Sequence, residues 1–180
     1  IAGGAQAITH AVEGAEDDTE AGGQAIQFRG VTKKDVVVGI AASGRTPFVW
    51  GALSEAQRRG ARTVLICFDP GLRKRGGVPN LVIAPATGAE VLTGSTRLKA
   101  GTATKLILNC ITTLAFARLG KVAGNRMIDL DPKNEKLRDR AVRIASELSG
   151  ADSSVSQAAL ESEGWVLKKA LRRLGANGSA

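Results

Sequence analysis

Asp35-Val36-Val37-Val38-Gly39-Ile40, followed after two alanines by Ser43-Gly44-Arg45-Thr46-Pro47, decides the fold of this chain. The first stretch is a continuous apolar, β-branched run and reads as a buried parallel strand. Thr46 suits the N-cap of a helix and Pro47 its first turn, so a helix is expected from Pro47 to about Arg59, closed by Gly60. A strand, a small-residue turn and a helix N-terminus together form an anion site, because free backbone N–H groups and the positive end of the helix dipole face the turn. Ser43 and Thr46 add hydroxyl donors and Arg45 adds charge, so the reading starts from a phosphate-bearing ligand.

Outward from this turn, Arg62 to Phe68 is a second apolar strand, ended by Asp69-Pro70-Gly71, and Leu81 to Ala84 is a third, short one. Ala7, Ile8, Ala11, Val12 and Ala15 have helical spacing, which predicts a helix over 2–18 with a break at Gly14, and a second short helix covers Thr19 to Phe28. Gly88 to Lys99 is polar and opens a long helix, about Leu98 to Leu119. That helix is apolar on most faces and so is expected to be central or at an oligomer interface. Residues 121–131 read as irregular. Pro132 to Ser149 is an amphipathic helix, and Ser153 to Gly175 gives two short helices separated near Gly164. Alternating strands and helices predict a parallel sheet with helices on both faces. Three strands are few for such a sheet. With Ile1 at the start, one or two further strands are expected upstream.

The 180 residues are 43% hydrophobic and 23% charged, a globular balance, while aromatics make up only 3% and tyrosine is absent. Few stacking platforms argue against a single-stranded nucleic-acid binder. The net charge of +8 is concentrated in Arg73-Lys74-Arg75 and in Lys168, Lys169, Arg172 and Arg173. These read as a solvated loop and a solvated helix face, with no nucleic-acid partner. Cys67 in a strand and Cys110 in a helix belong to no metal-spaced set and are expected to be buried free thiols of a reducing compartment. No apolar stretch is read as spanning a bilayer and no signal peptide is seen, so a cytoplasmic protein with no membrane partner is expected.

Two readings compete for the turn. Gly39-Ile40-Ala41-Ala42-Ser43-Gly44-Arg45-Thr46 nearly fits the nucleotide pattern GxxxxGK(S/T), and the strand ending at Asp69 imitates a magnesium-serving strand. Arg45, however, stands where that pattern needs lysine, and Gly39 falls inside the apolar run. The second reading is a sugar-phosphate site. Thr93-Gly94-Ser95-Thr96 is another hydroxyl-rich turn before a helix, with Arg97 and Lys99 close behind. Two such turns at the ends of a parallel sheet can hold a phosphate and sugar hydroxyls together. Glu90 lies beside the second turn. His10, Glu13 and Asp17 share a helical face, but three mixed ligands without further support do not make a metal site.

Several long motifs resemble the N-acetylmuramic acid 6-phosphate etherase family. They are Ile1-Ala-Gly-Gly4, the run from His10 to Asp17 (His-Ala-Val-Glu-Gly-Ala-Glu-Asp), Val38 to Pro47, Gly88 to Ala103, and Asn134-Glu-Lys-Leu137. The resemblance runs over essentially the whole chain and is weakest after about Ser149. It implies a flavodoxin-like sugar-isomerase (SIS) fold, a three-layer αβα sandwich with a parallel sheet, over residues 1–131. A C-terminal helical region follows over 132–180, with helices resembling a ubiquitin-associated bundle from about residue 150.

The resemblance further implies a carbon–oxygen lyase that removes D-lactate from N-acetylmuramic acid 6-phosphate by elimination and hydration, in recycling of cell-wall sugars, without metal or organic cofactor. The catalytic glutamate it assigns is Glu16. Phosphate or sugar binding would fall to Ser43, Gly44, Arg45, Thr46, Glu90, Thr93, Ser95 and Thr96, with His10 as a weaker candidate. The partner glutamate, proton donor to the leaving group, would lie upstream of Ile1. Family members work as homodimers. The runner-up reading is a non-catalytic sugar-phosphate sensor like the related glucokinase regulatory proteins.

Overall fold

Val36–Ile40 forms strand β1, which pairs in parallel with β2 (Arg62–Ile66), and β2 pairs in parallel with β3 (Leu81–Ile83). This is the arrangement in a computed structural model of the chain, which describes residues 1–74 and 79–176. The register sets Val38 opposite Val64 and Ile66 opposite both Ile40 and Ile83. Thr63 is fully buried in β2, and its hydroxyl and amide are both satisfied by the Asn80 side chain at the start of β3. Parallel strands and intervening helices make the α/β class expected of an SIS-like fold.

The chain divides into two compact units, Ile1–Ile107 and Leu108–Ala180. In the first, α1 (Thr19–Phe28) starts at Asp18, whose carboxylate caps the helix by accepting the Ala21 amide at 2.8 Å. Helix α2 (Pro47–Arg58) packs on α1 and on β1 and β2. Leu53, Leu65, Cys67, Leu72 and Ala84 form one buried cluster, with Val49 and Trp50 of α2 against it, and Ile26, Ala56 and Ala61 form another. Gly39 in β1 has a packing reason. A Cβ there would come within 2.6 Å of Val49 Cγ1, so the missing side chain lets α2 lie close to the strand.

In the second unit, β4 (Val122–Ala123) and β5 (Arg126–Met127) form a small antiparallel hairpin where the sequence reads as irregular. Helices α4 (Glu135–Ser149), α5 (Ser153–Ser162) and α6 (Leu167–Arg173) pack pairwise. Their core is Ala141, Ile144, Ala145, Leu160, Leu167, Ala170 and Leu171. Asn134 caps α4 through the Leu137 amide, and Gly150 ends it in the left-handed conformation. On the basic face, Lys168 lies 3.9 Å from Asp129 and Arg173 lies 3.3 Å from Glu163.

Four expectations are corrected. Residues 2–18 are not a helix: only Gln6–Ile8 make a 3-10 turn, and Gly3, Gly4 and Gly14 have φ of 81°, 67° and 74°, which no right-handed helix contains. Cys110 is exposed, while Cys67 is buried as expected. The long helix α3 (Lys99–Arg118) buries only Ala100 among its residues and so is not a central helix. It is also 20 residues long with mean hydropathy 1.2 over its most apolar window, long and apolar enough by length and composition to cross a membrane, contrary to the sequence reading. Arg75 and the side chains of Arg73 and Lys74 lie outside the described residues.

Candidate active site

The turn after β1 is held from below by β2 and its continuation: Ala41 N donates to Ile66 O at 3.1 Å and Phe68 N to Ala42 O at 2.8 Å. Gly44 N donates back to Ala41 O at 2.8 Å, closing a tight turn in which Gly44 is buried at φ 69°. Arg45 N donates to Ser43 Oγ at 3.2 Å. At the helix, Val49 N and Trp50 N both donate to Thr46 O, and Phe48 N donates to the carbonyl oxygen of Glu16 at 3.0 Å. The expectation of free amides at this helix end therefore holds only in part. The amides of Gly44, Arg45, Phe48, Val49 and Trp50 are already donating and Pro47 has none, while those of Ser43 and Thr46 have no partner among the described residues. Thr46 occupies the N-cap without a side-chain capping bond. Anion recognition here falls to the Ser43 and Thr46 hydroxyls and the Arg45 guanidinium, with the Ser43 and Thr46 amides beside them.

Two cavities meet at this turn. The larger, of about 970 Å³, is lined by Glu16, Ser43, Thr46 and Thr96, with Gly3 and Gly4 at one end and Ile40 of β1 along a wall. The smaller, of about 310 Å³, is lined by Ser43, Arg45, Asp69, Thr87, Glu90 and Thr96. Ser43 and Thr96 belong to both. The two turns singled out in the sequence thus converge on one hydroxyl-bearing wall, with a carboxylate on one side and a guanidinium on the other. Glu16 is brought here by its own backbone, since its carbonyl fastens the preceding segment to the first amide of α2.

Three of the other candidates stand apart. Thr93 and Ser95 line neither cavity, and His10 is exposed, with Nδ1 2.9 Å from Thr9 Oγ1. Glu90 is engaged by the backbone: its two carboxylate oxygens accept the Lys99 and Ala100 amides at 2.8 and 2.9 Å, at the start of α3. Those backbone donors, Ala100 first, hold its carboxyl below the usual glutamate range. Among the described residues, no group of three or more His, Cys, Asp or Glu side chains is placed to hold a metal ion.

Known proteins share long stretches of this chain. A family model for the glucokinase regulatory protein N-terminal SIS domain matches residues 1–57. A Mesorhizobium japonicum protein named N-acetylmuramic acid 6-phosphate etherase is 46% identical over 171 residues, 95% of this chain and 55% of that protein. Proteins of the same name from Gloeobacter violaceus and Escherichia coli O81 are 48% and 49% identical, over 95% and 89% of this chain and 56% and 53% of theirs. The chain is a relative of the N-acetylmuramic acid 6-phosphate etherases. It spans about half the length of the curated relatives it matches.

Kinship with these etherases agrees with the geometry in setting aside the nucleotide reading. Gly39 sits inside β1, paired with Leu65, not in a phosphate-wrapping loop. Asp69, which would have to serve magnesium, instead accepts the Gly71 amide through Oδ1 and faces Arg45 Nη2 at 3.7 Å through Oδ2. Around the turn stand two residues that the sequence reading did not single out. Trp50 Nε1 donates to Gly44 O at 2.8 Å, and Thr87 lines the Arg45 cavity together with Asp69. Trp50 was findable: helical side chains lean toward the N-terminus, so a tryptophan one turn into α2 must cover the turn before it.

Proposed function

We propose that this chain carries the sugar-phosphate site of an etherase that cleaves the D-lactyl ether of N-acetylmuramic acid 6-phosphate to N-acetylglucosamine 6-phosphate and D-lactate. One observation carries the reading: Glu16 lines the same cavity as Ser43, Thr46 and Thr96, and the hydroxyl wall continues to Arg45. The Glu16 carboxylate takes the proton at C2 of the opened sugar. The C2–H electron pair becomes the C2=C3 double bond as the C3–O bond breaks, and the departing lactate oxygen takes a proton from water, leaving hydroxide. The hydroxide adds to C3, and the proton held by Glu16 returns to C2. Ser43, Thr46 and Thr96 bind phosphate and sugar oxygens, and Arg45 supplies the compensating charge. The reaction uses no organic cofactor, the protein is cytoplasmic, and two copies assemble as a homodimer.

A second reading, a sugar-phosphate-binding domain without catalysis, is favoured by the match of residues 1–57 to the glucokinase regulatory protein family model. Incubation of the chain with N-acetylmuramic acid 6-phosphate, with D-lactate read enzymatically, separates the two. D-lactate above the protein-free control, lost in Glu16→Gln with ligand binding retained, carries the etherase reading. A raised melting temperature without lactate carries the second. Neither lactate nor stabilisation would sink both.

A further inference from the structure

We infer that Trp50 is a positioning residue that aims the Ser43 hydroxyl at a phosphosugar oxygen, an inference that rests on the sugar-phosphate reading of the cavity. Trp50 lines neither cavity and acts through the peptide between Gly44 and Arg45. Its indole N–H donates to Gly44 O at 2.8 Å from a part-buried position, with the ring packed against the Leu53, Leu65 and Cys67 cluster. In a planar trans peptide the carbonyl and the following N–H point in opposite directions. Fixing Gly44 O toward α2 therefore turns the Arg45 N–H the other way, where it donates to Ser43 Oγ at 3.2 Å.

A hydroxyl has one proton and two acceptor positions. With an acceptor position of Ser43 filled by the Arg45 amide, its proton is left to donate, and Ser43 faces both cavities. Each bond in the relay polarises the next, so the indole strengthens a donor it does not touch. The same bond removes the Gly44 carbonyl from the ligand's surroundings, where its negative end would repel an anion. Indole to carbonyl, amide to hydroxyl, hydroxyl to ligand is thus a directed chain, and without the indole the peptide is free to turn over.

A double-mutant cycle on the 180-residue chain, with N-acetylglucosamine 6-phosphate as titrant in calorimetry, tests the relay. Trp50→Phe keeps an aromatic ring against the cluster and removes the N–H donor together with part of the indole's bulk, a packing loss that the cycle cancels because it is common to both backgrounds. It is expected to raise Kd about tenfold, the scale of one lost hydrogen bond. In a Ser43→Ala background the same change is expected to add almost nothing, because the relay already ends there. Equal losses in both backgrounds would mean that Trp50 is merely structural and would overturn the inference, as would unchanged binding by Trp50→Phe. Failure of the unmutated chain to bind would instead overturn the sugar-phosphate reading, and the inference with it. Should Trp50→Phe not fold, the indole N–H resonance of the unmutated chain decides. Ligand is expected to shift it, and Ser43→Ala to abolish that shift; a resonance indifferent to ligand would refute the relay.

Discussion

Gly44 is the residue on which the turn depends. Its φ of 69° disfavours any side chain, and a Cβ there would collide with Leu72 Cδ2 and lie 3.2 Å from Cys67 Cβ. Gly44→Ala is expected to cost about 2 kcal/mol in urea denaturation. It is also expected to abolish calorimetrically detectable binding of N-acetylglucosamine 6-phosphate, because the displaced turn carries Ser43 and Arg45. Glu55, on α2, gives a pH-dependent counterpart. Hydrogen bonds from Arg58, then Arg59, hold its carboxyl down from 4.5 to about 2. A folded-state value below the unfolded one means that the unfolded chain binds more protons in this window. The contribution is therefore fully present above 4.5 and lost as pH falls toward about 2. Thermal melts across that interval are expected to fall less steeply in Glu55→Gln than in the unmutated chain.

Between elements, the α1–α2 crossing sets where Glu16 lies. Gly22 and Gly51 are buried at this crossing, and a Cβ on either would strike backbone: the Phe48 carbonyl for Gly22, the Thr19 carbonyl for Gly51. Carbonyls cannot rotate away as a side chain tip can, so Gly51→Ala is expected to cost about 3 kcal/mol by denaturant titration. It would also loosen the Phe48-to-Glu16 bond that ties the carboxylate segment to the helix. A loss under about 0.5 kcal/mol would refute this account of the crossing. Sequence reading found β1, α2 and β2 to within two residues because an apolar run, an N-cap threonine and Pro47 act locally. It missed the irregular course of 2–18, where alanine spacing imitates a helix while three left-handed glycines forbid one. It also missed the β4–β5 hairpin, although Gly124-Asn125 is a recognisable two-residue turn; its strands are only two residues each and Arg126 breaks the apolar pattern. For the site, the hydroxyl turns were legible as local motifs. Their convergence through Ser43 and Thr96, and the capture of Glu90 by α3, are tertiary facts that no local pattern encodes.

At the scale of the whole molecule, the two units each close their own apolar cluster, and the chain's two tryptophans fall one to each: Trp50 against the first unit's core, Trp165 against the second's. Their surroundings differ in kind. Trp50 donates to a peptide carbonyl, while the Arg138 guanidinium lies 4.9 Å over the Trp165 ring. Because the chain has no tyrosine, its near-ultraviolet emission comes from these two indoles, giving each unit a built-in optical reporter. Titration with N-acetylglucosamine 6-phosphate is expected to change the emission of Trp165→Phe as it does that of the unmutated chain, and to leave the spectrum of Trp50→Phe flat. A ligand response surviving in Trp50→Phe would locate the spectral change in the second unit and away from the turn. Two indoles that a sequence reader would count only as bulk thus make the protein its own spectroscopic map, one colour of evidence for each half.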